Sequence, residues 1–207
     1  MRAVKVIDSQ PHYVEVDKPR SDQHGWVTVK VASSSICGSD LHLLPTGFVE
    51  GRILGHEFAG HTEDGTAVAI EPLHGCGQCD YCDEGHTAHC SAGAVHTGVF
   101  EDGGMAEYVS VPASTLVKLP SGLPIANACL VEPLAIALNG IISGKITSAD
   151  HILVIGGGSI GLAAAAVLNG LGLKYDLSAR HPHQQAGAQL LAAGDAIQAS
   201  YDVVIDA

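Results

Sequence analysis

The sequence predicts two folded regions of different class, an α+β region built on a small antiparallel β-barrel and then the start of an α/β region with a parallel sheet. Three observations predict this. The first 36 residues read as short strands separated by turns, four cysteines crowd into residues 76–90, and after residue 150 the pattern becomes strand, glycine turn, helix. Short alternating strands punctuated by Gly, Pro and polar breaks favour a small barrel, whereas strand–helix alternation favours parallel pairing.

The opening strands are MRAVKVI (1–7), YVEVDKP (13–19) and WVTVKVA (26–32), with breaks at SQP and RSDQHG. Each alternates apolar and polar residues, as a half-buried strand does. The next stretch, ICGSDLH (36–42), packs Cys37, Ser39, Asp40 and His42 into a few positions just past a strand end. A lone cysteine is ordinarily a small core residue. One flanked by a hydroxyl, a carboxylate and an imidazole has the ingredients of a reactive site. GHEFAG (55–60) adds His56 and Glu57. Taken alone, a His-Glu pair reads as solvated surface; beside Cys37 it completes the mixed donor set of a catalytic zinc with an open position.

Cys76, Cys79, Cys82 and Cys90 follow at spacing C-x2-C-x2-C-x7-C. Their segment has too little apolar content to make a core, so a cross-link must hold it. A disulfide lobe or a redox pair would use the same residues, but the N-terminus shows no apolar signal region and disulfides belong to exported chains. Four soft thiolates at this spacing favour a closed, structural zinc.

DGGMAEYVSVP (102–112) reads as a turn and a strand, and residues 123–144 carry helical periodicity, with a break or kink expected at Pro133. Glu132 is a carboxylate in an apolar run. It reads either as a helix-end charge or as a metal ligand or base, and the apolar setting favours the second because a charge there needs a partner. HILVIGGGSIGLAAAAVLNGLG (151–172) then supplies Gly156, Gly158 and Gly161 as G-x-G-x-x-G between a strand and a helix. That context makes it a dinucleotide fingerprint, with Ser159 and Ile160 opening the helix whose free amides face the pyrophosphate. A second strand is expected at 173–178, and the acidic residue that would bind ribose hydroxyls about twenty positions on is missing. Arg180 stands there, with His181 and His183 nearby. It reads as a solvated loop arginine or as a partner for a 2′-phosphate, which favours NADP over NAD. A short helix over 183–194, ending at Gly194, and a last strand at 201–207 close the chain.

Composition narrows the function. The 207 residues are 46% hydrophobic with a formal net charge of −12. That balance repels phosphate backbones and argues against a nucleic-acid partner, including for a zinc ribbon. No 18-residue stretch is both apolar and free of charge, so no membrane span is expected. Six cysteines without an export signal imply a reducing compartment, and a cytoplasmic location is expected.

In the order ICGSDLH, GHE, cysteine lobe and glycine motif, these segments resemble the zinc-containing alcohol dehydrogenases of the medium-chain dehydrogenase/reductase family, over essentially the whole chain. The resemblance implies a GroES-like β-barrel catalytic domain (1–128) followed by the first half of a Rossmann fold (129–207), and two zinc ions per chain. It implies Cys37 and His56 as catalytic zinc ligands, with Glu57 and Glu132 competing for a further position. Glu132 in VEPLA and the AIEP at 69–72 are similar to the polyol and threonine dehydrogenase branch. Ser39 and His42 match a proton relay, Asp40 the carboxylate that orients His56, and the other four cysteines the structural zinc. The implied reaction is oxidation of a secondary alcohol or polyol with NADP or NAD, in a protein that forms homo-oligomers at full length. Family members continue past residue 207, so the chain is expected to be an N-terminal fragment with an open sheet edge; the competing expectation is an inactive, metal-stapled module. These ligands disfavour a zinc-free quinone reductase of the same family.

Overall fold

A computed structural model describes residues 1–21, 23–196 and 200–207. The chain divides into two compact units, Met1–Glu132 and Pro133–Ala207.

The first unit begins with a hairpin of β1 (Arg2–Ile7) and β2 (Gln10–Glu15). Asp8 and Ser9 both take positive φ, 52° and 58°, the backbone of a tight two-residue hairpin turn. The Glu50 carboxylate accepts from both turn amides. The second strand therefore starts at Gln10, three residues before the expected YVEVDKP. The hairpin turn fixes the register, and Pro11 is tolerated because β2 has only one neighbour. Asp22, within the expected RSDQHG break, lies outside the described residues.

β3 (Trp26–Ser34) leads into α1 (Gly38–Leu43), and β4 (Phe58–His61) and β5 (Ala67–Ile70) follow as a second hairpin. Around the cysteine lobe lie β6 (Leu73–His74), α2 (Asp80–Asp83) and β7 (Val95–His96). β8 (Tyr108–Pro112) and β9 (Leu116–Lys118) complete a five-stranded antiparallel sheet of order β8-β3-β4-β5-β9. No pairing joins β8 to β9 among the described residues, so the expected barrel is present as a half-barrel, open between those two edge strands. Val29, Phe58, Val68, Ile70, Val109 and Val111 fill one face of it. Phe58 is 1% exposed, and its truncation to Ala would cost about 3–5 kcal/mol.

Residues 123–144 depart from expectation. Ile125–Leu130 form a 3-10 helix, and α3 runs from Val131 to Ser143 with Pro133 inside its first turn. No break occurs at Pro133, because a first-turn amide has no intrahelical acceptor to lose. The change of helix type comes two residues earlier. Together the two helices make a 19-residue run whose length and composition alone would suffice to cross a membrane. Its start instead packs in the first unit, Ile125, Ala128 and Val131 against Ala59, Ala69 and Leu119.

In the second unit α3 is followed by β10 (Ile152–Ile155), α4 (Ser159–Gly170), β11 (Tyr175–Ser178), α5 (Pro182–Leu190), β12 (Gly194–Asp195) and β13 (Val203–Asp206). All four strands are parallel, in the order β12-β11-β10-β13. The first three make one βαβαβ half. β13 is the last strand expected at 201–207; on the far side of β10 it creates the point where strand order reverses, and the strand beyond expectation is the two-residue β12. α5 stops at Leu190, and Gly194 starts a strand instead of ending the helix.

Candidate active site and metal centres

Sheet register builds the first site. Ser34 on β3 pairs with Phe58 on β4, and one step further the Ser35 amide donates to Glu57 O at 2.9 Å. Cys37, two residues past Ser35, therefore arrives beside His56 and Glu57. The ligand atoms of these three residues all lie within 4.8 Å of one another. Ser35 Oγ donates to Glu57 Oε2 at 2.5 Å, fixing that carboxylate.

Cys37 immediately precedes α1 in extended geometry, and its amide donates to Asp40 Oδ2 at 3.0 Å. Asp40 is 2% exposed. Its other oxygen, Oδ1, lies 3.5 Å from His56 Nδ1, long for a hydrogen bond, and among the described residues neither atom has another partner. With Nδ1 turned to Asp40, Nε2 is the nitrogen left for a ligand. Burial by itself would lower the His56 pKa, but Asp40 and then Cys37 outweigh it and raise it to about 9. A thiol, an imidazole and a carboxylate converging in a buried spot, with the imidazole braced by a carboxylate, fit a metal that keeps an open position.

Glu132 stands apart from this donor set. It lies in the first turn of α3, half-buried, and burial raises its pKa; His56 counters that rise and Glu57 adds to it. It is thus within electrostatic reach of the centre without being one of the converged ligands. Ser39 and His42 occupy exposed positions three apart on α1, hence on one side of it. His96 was not singled out in the sequence, where it is one imidazole among twelve. Its ring lies against His56, centroids 5.1 Å apart at 80°.

The ligand atoms of Cys76, Cys79, Cys82 and Cys90 also lie within 4.8 Å of one another. Cys79 Sγ and Cys90 Sγ are 4.0 Å apart, close to the ~3.8 Å between thiolates on a tetrahedral zinc. The Cys76 amide donates to Cys90 Sγ at 3.3 Å. Contacts from Ser91 lower the Cys79 pKa to about 6, whereas Cys82, despite the Gly77 amide, is pushed up to about 11 by burial and the other three thiols. Four thiolates cannot coexist here unaided, and a divalent cation removes the conflict. All six cysteines are free thiols. The donor set fits a closed zinc site.

In the second unit the glycine turn follows β10. Gly156 has φ +106°, and a Cβ there would sit 2.0 Å from Ala207 O; one on Gly161 would sit 1.9 Å from Gly156 O. Gly158 immediately precedes α4, and the space around its Cβ position is open. Ser159 and Ile160 head the helix, so their amides have no intrahelical partner. A cavity of about 420 Å³ lies here, bounded by Gly156, Gly157, Gly158, Ala179, Arg180 and Gln184 among others. Arg180 thus borders the cavity, and His181 and His183 stack beside it, centroids 5.7 Å apart. An open helix N-terminus, a left-handed glycine turn and a cation at the end of β11 fit a dinucleotide.

Comparison with known proteins agrees with both halves. Residues 23–121 match the profile of the alcohol dehydrogenase GroES-like domain. An uncharacterized zinc-type alcohol dehydrogenase-like protein of Haemophilus influenzae is 38% identical over 170 residues, 73% of this chain and 48% of that protein. The chain belongs to the zinc-type alcohol dehydrogenases of the medium-chain dehydrogenase/reductase family. Another relative in this family, the L-threonine 3-dehydrogenase of Pyrococcus furiosus, is 34% identical over 191 residues, 83% of this chain and 54% of that one. The crystal structure of the Escherichia coli CFT073 alcohol dehydrogenase RspB, complexed with NADH, superposes with a TM-score of 0.82 at 31% identity, covering 100% of this chain and 62% of that one. The chain spans about half the length of the curated relatives it matches.

Proposed function

We propose that the protein is a zinc-dependent dehydrogenase of a secondary alcohol or polyol, using NADP or NAD. The observation that carries this is the convergence of Cys37, His56 and Glu57 donor atoms within 4.8 Å, in a chain that also holds the dinucleotide turn. Relatives support it: one is named for oxidising L-threonine at carbon 3, a secondary alcohol, and one was solved with NADH.

In this reading Cys37, His56 and Glu57 hold the catalytic zinc, and Glu132 supplies a carboxylate at its margin. Bound there, zinc supplies Lewis acidity that lowers the pKa of a substrate hydroxyl. Asp40 orients His56 through Nδ1. Ser39 and His42 carry the hydroxyl proton outward along one side of α1. The α4 N-terminus holds the pyrophosphate, Gly158 admits it, and Arg180 takes a 2′-phosphate, which favours NADP. The four-cysteine zinc is structural. Two zinc ions per chain, a cytoplasmic location, a homo-oligomeric state, and no nucleic-acid or membrane partner complete the proposal.

The test is cofactor reduction by the full-length protein with a panel of secondary alcohols. Activity abolished by Cys37→Ser, with a preference for NADP that Arg180→Ala reverses, is expected. No turnover of any alcohol by a protein holding two zinc ions refutes the enzyme reading; a strong NAD preference refutes the role given to Arg180.

A further inference from the structure

Two serines near the end of β3 brace the first site. Ser33, Ser35 and Cys37 lie two apart on extended chain, so their side chains share one face. Ser35 grips Glu57 twice: its amide donates to Glu57 O at 2.9 Å and its hydroxyl donates to Glu57 Oε2 at 2.5 Å. That short distance belongs to a hydroxyl bonded to an ionised carboxylate, the form a metal requires. Among the described residues no other hydrogen bond reaches the Glu57 side chain. Its Oε1 is not one of the sealed, unpartnered atoms either, which are on Asp40, His56 and Thr97. One oxygen is held and the other is left for a ligand. Ser33 is engaged elsewhere. Its hydroxyl donates to Ile125 O at 2.7 Å and accepts from the Cys129 amide at 3.2 Å, which moors the 3-10 helix Ile125–Leu130 just ahead of Glu132.

We infer that Ser35 is a positioning residue that selects the metal's carboxylate: its hydroxyl holds Glu57 in the donor set, and Glu132 enters only when that hold is lost. The inference rests on the catalytic-zinc reading above and says what fixes its ligand set. A glutamate gives up much rotamer freedom when it binds a metal, and a bond to one of its oxygens removes that freedom in advance. Glu132 has no such brace, since among the described residues no hydrogen bond reaches its side chain. It nonetheless interacts electrostatically with both His56 and Glu57. Ser33 fixes the helix ahead of Glu132 and not its carboxylate, so Glu132 stays near without joining the converged atoms. With Glu57 in place, the like charge of a second carboxylate is disfavoured beside it.

The experiment uses the full-length protein with zinc in the four-cysteine site and titrates the second site with cobalt(II) against a chromophoric chelator. Ser35→Ala is expected to weaken cobalt binding by about 10–100-fold, the scale of losing a group that holds a ligand, and to alter the visible spectrum of the bound cobalt. Ser35→Thr keeps the hydroxyl and should stay close to wild type. In a Glu57→Ala background Ser35→Ala should do nothing further, because the hydroxyl then has no carboxylate to hold. Glu132→Ala tests the choice between carboxylates. Nearly silent in the wild type, it should cost a further loss of about tenfold once Ser35 is replaced by alanine, when Glu132 has become the ligand. Cobalt affinity unmoved by Ser35→Ala, lowered equally with and without Glu57, or lowered as much by Ser35→Thr, overturns the role of Ser35. An effect of Glu132→Ala that is the same in both backgrounds overturns the selection. A protein that takes up no second ion fails the zinc reading above and this inference with it.

Discussion

Replacing Asp40 by Asn separates two effects that one buried carboxylate has on His56. Asp40, with a smaller share from Cys37, raises the His56 pKa to about 9 from an ordinary 6.5 in the metal-free chain, against the opposing effect of burial. That difference is worth about 3 kcal/mol of preference for the charged ring. Its contribution to metal-free stability is fully present below pH 6.5 and is lost as pH rises through 9. A metal needs the neutral ring, so at pH 7 the bound proton weakens wild-type affinity by roughly 100-fold. The same carboxylate orients His56 and strengthens it as a ligand, an effect typically worth about 10–100-fold in affinity. Asp40→Asn removes the orienting effect and the larger part of the proton effect. At pH 9.5, where proton competition has gone, the variant should bind catalytic-site zinc roughly 10–100-fold more weakly. Towards pH 7 the gap should shrink, because the wild type holds the more firmly bound proton that the metal must displace. Competition titration with a chromophoric chelator from pH 6.5 to 9.5, with the four-cysteine site filled beforehand, measures this. A gap that is constant with pH, or no gap at pH 9.5, would refute the reasoning.

The remaining predictions concern single positions. Cys90→Ser removes a buried thiol from the lobe, and zinc per chain should fall from two to one by elemental analysis, with the lobe becoming protease-sensitive. Glu57→Ala should weaken catalytic-site zinc far more than Glu132→Ala, because only Glu57 lies in the converged set; chelator titration of each variant decides between them. Gly158→Val should fold normally, since its Cβ would meet open space, yet lose at least about tenfold in NADPH affinity by filling the mouth of the α4 site. Gly161→Val, whose Cβ would meet Gly156 O at 1.9 Å, should instead cost about 1–3 kcal/mol or more in denaturant unfolding.

What the sequence made legible was chemistry concentrated in short spans. The four lobe cysteines lie within fifteen residues, and the glycine turn announces itself through the strand and helix on either side. Cys37 and His56 are nineteen residues apart, and only the pairing of Ser34 with Phe58 brings them together. The suspicion that they meet therefore rested on residue type and on the family pattern. Elements were misjudged where a local rule had two outcomes. Pro133 can break a helix or sit in its first turn, and the 3-10 segment before it decided for the second. β2 slid three residues because the Asp8-Ser9 turn, which has no glycine to mark it, set the register. His96 carried no signal, since its meaning comes from a ring contact with a residue forty positions away.

Anomalous diffraction at the zinc edge from crystals of the zinc-loaded protein tests the central claim most directly. Two peaks are expected in each chain, one among the four lobe cysteines and one within bonding distance of Cys37, His56 and Glu57. A peak at the lobe alone, in crystals grown with excess zinc, would contradict it.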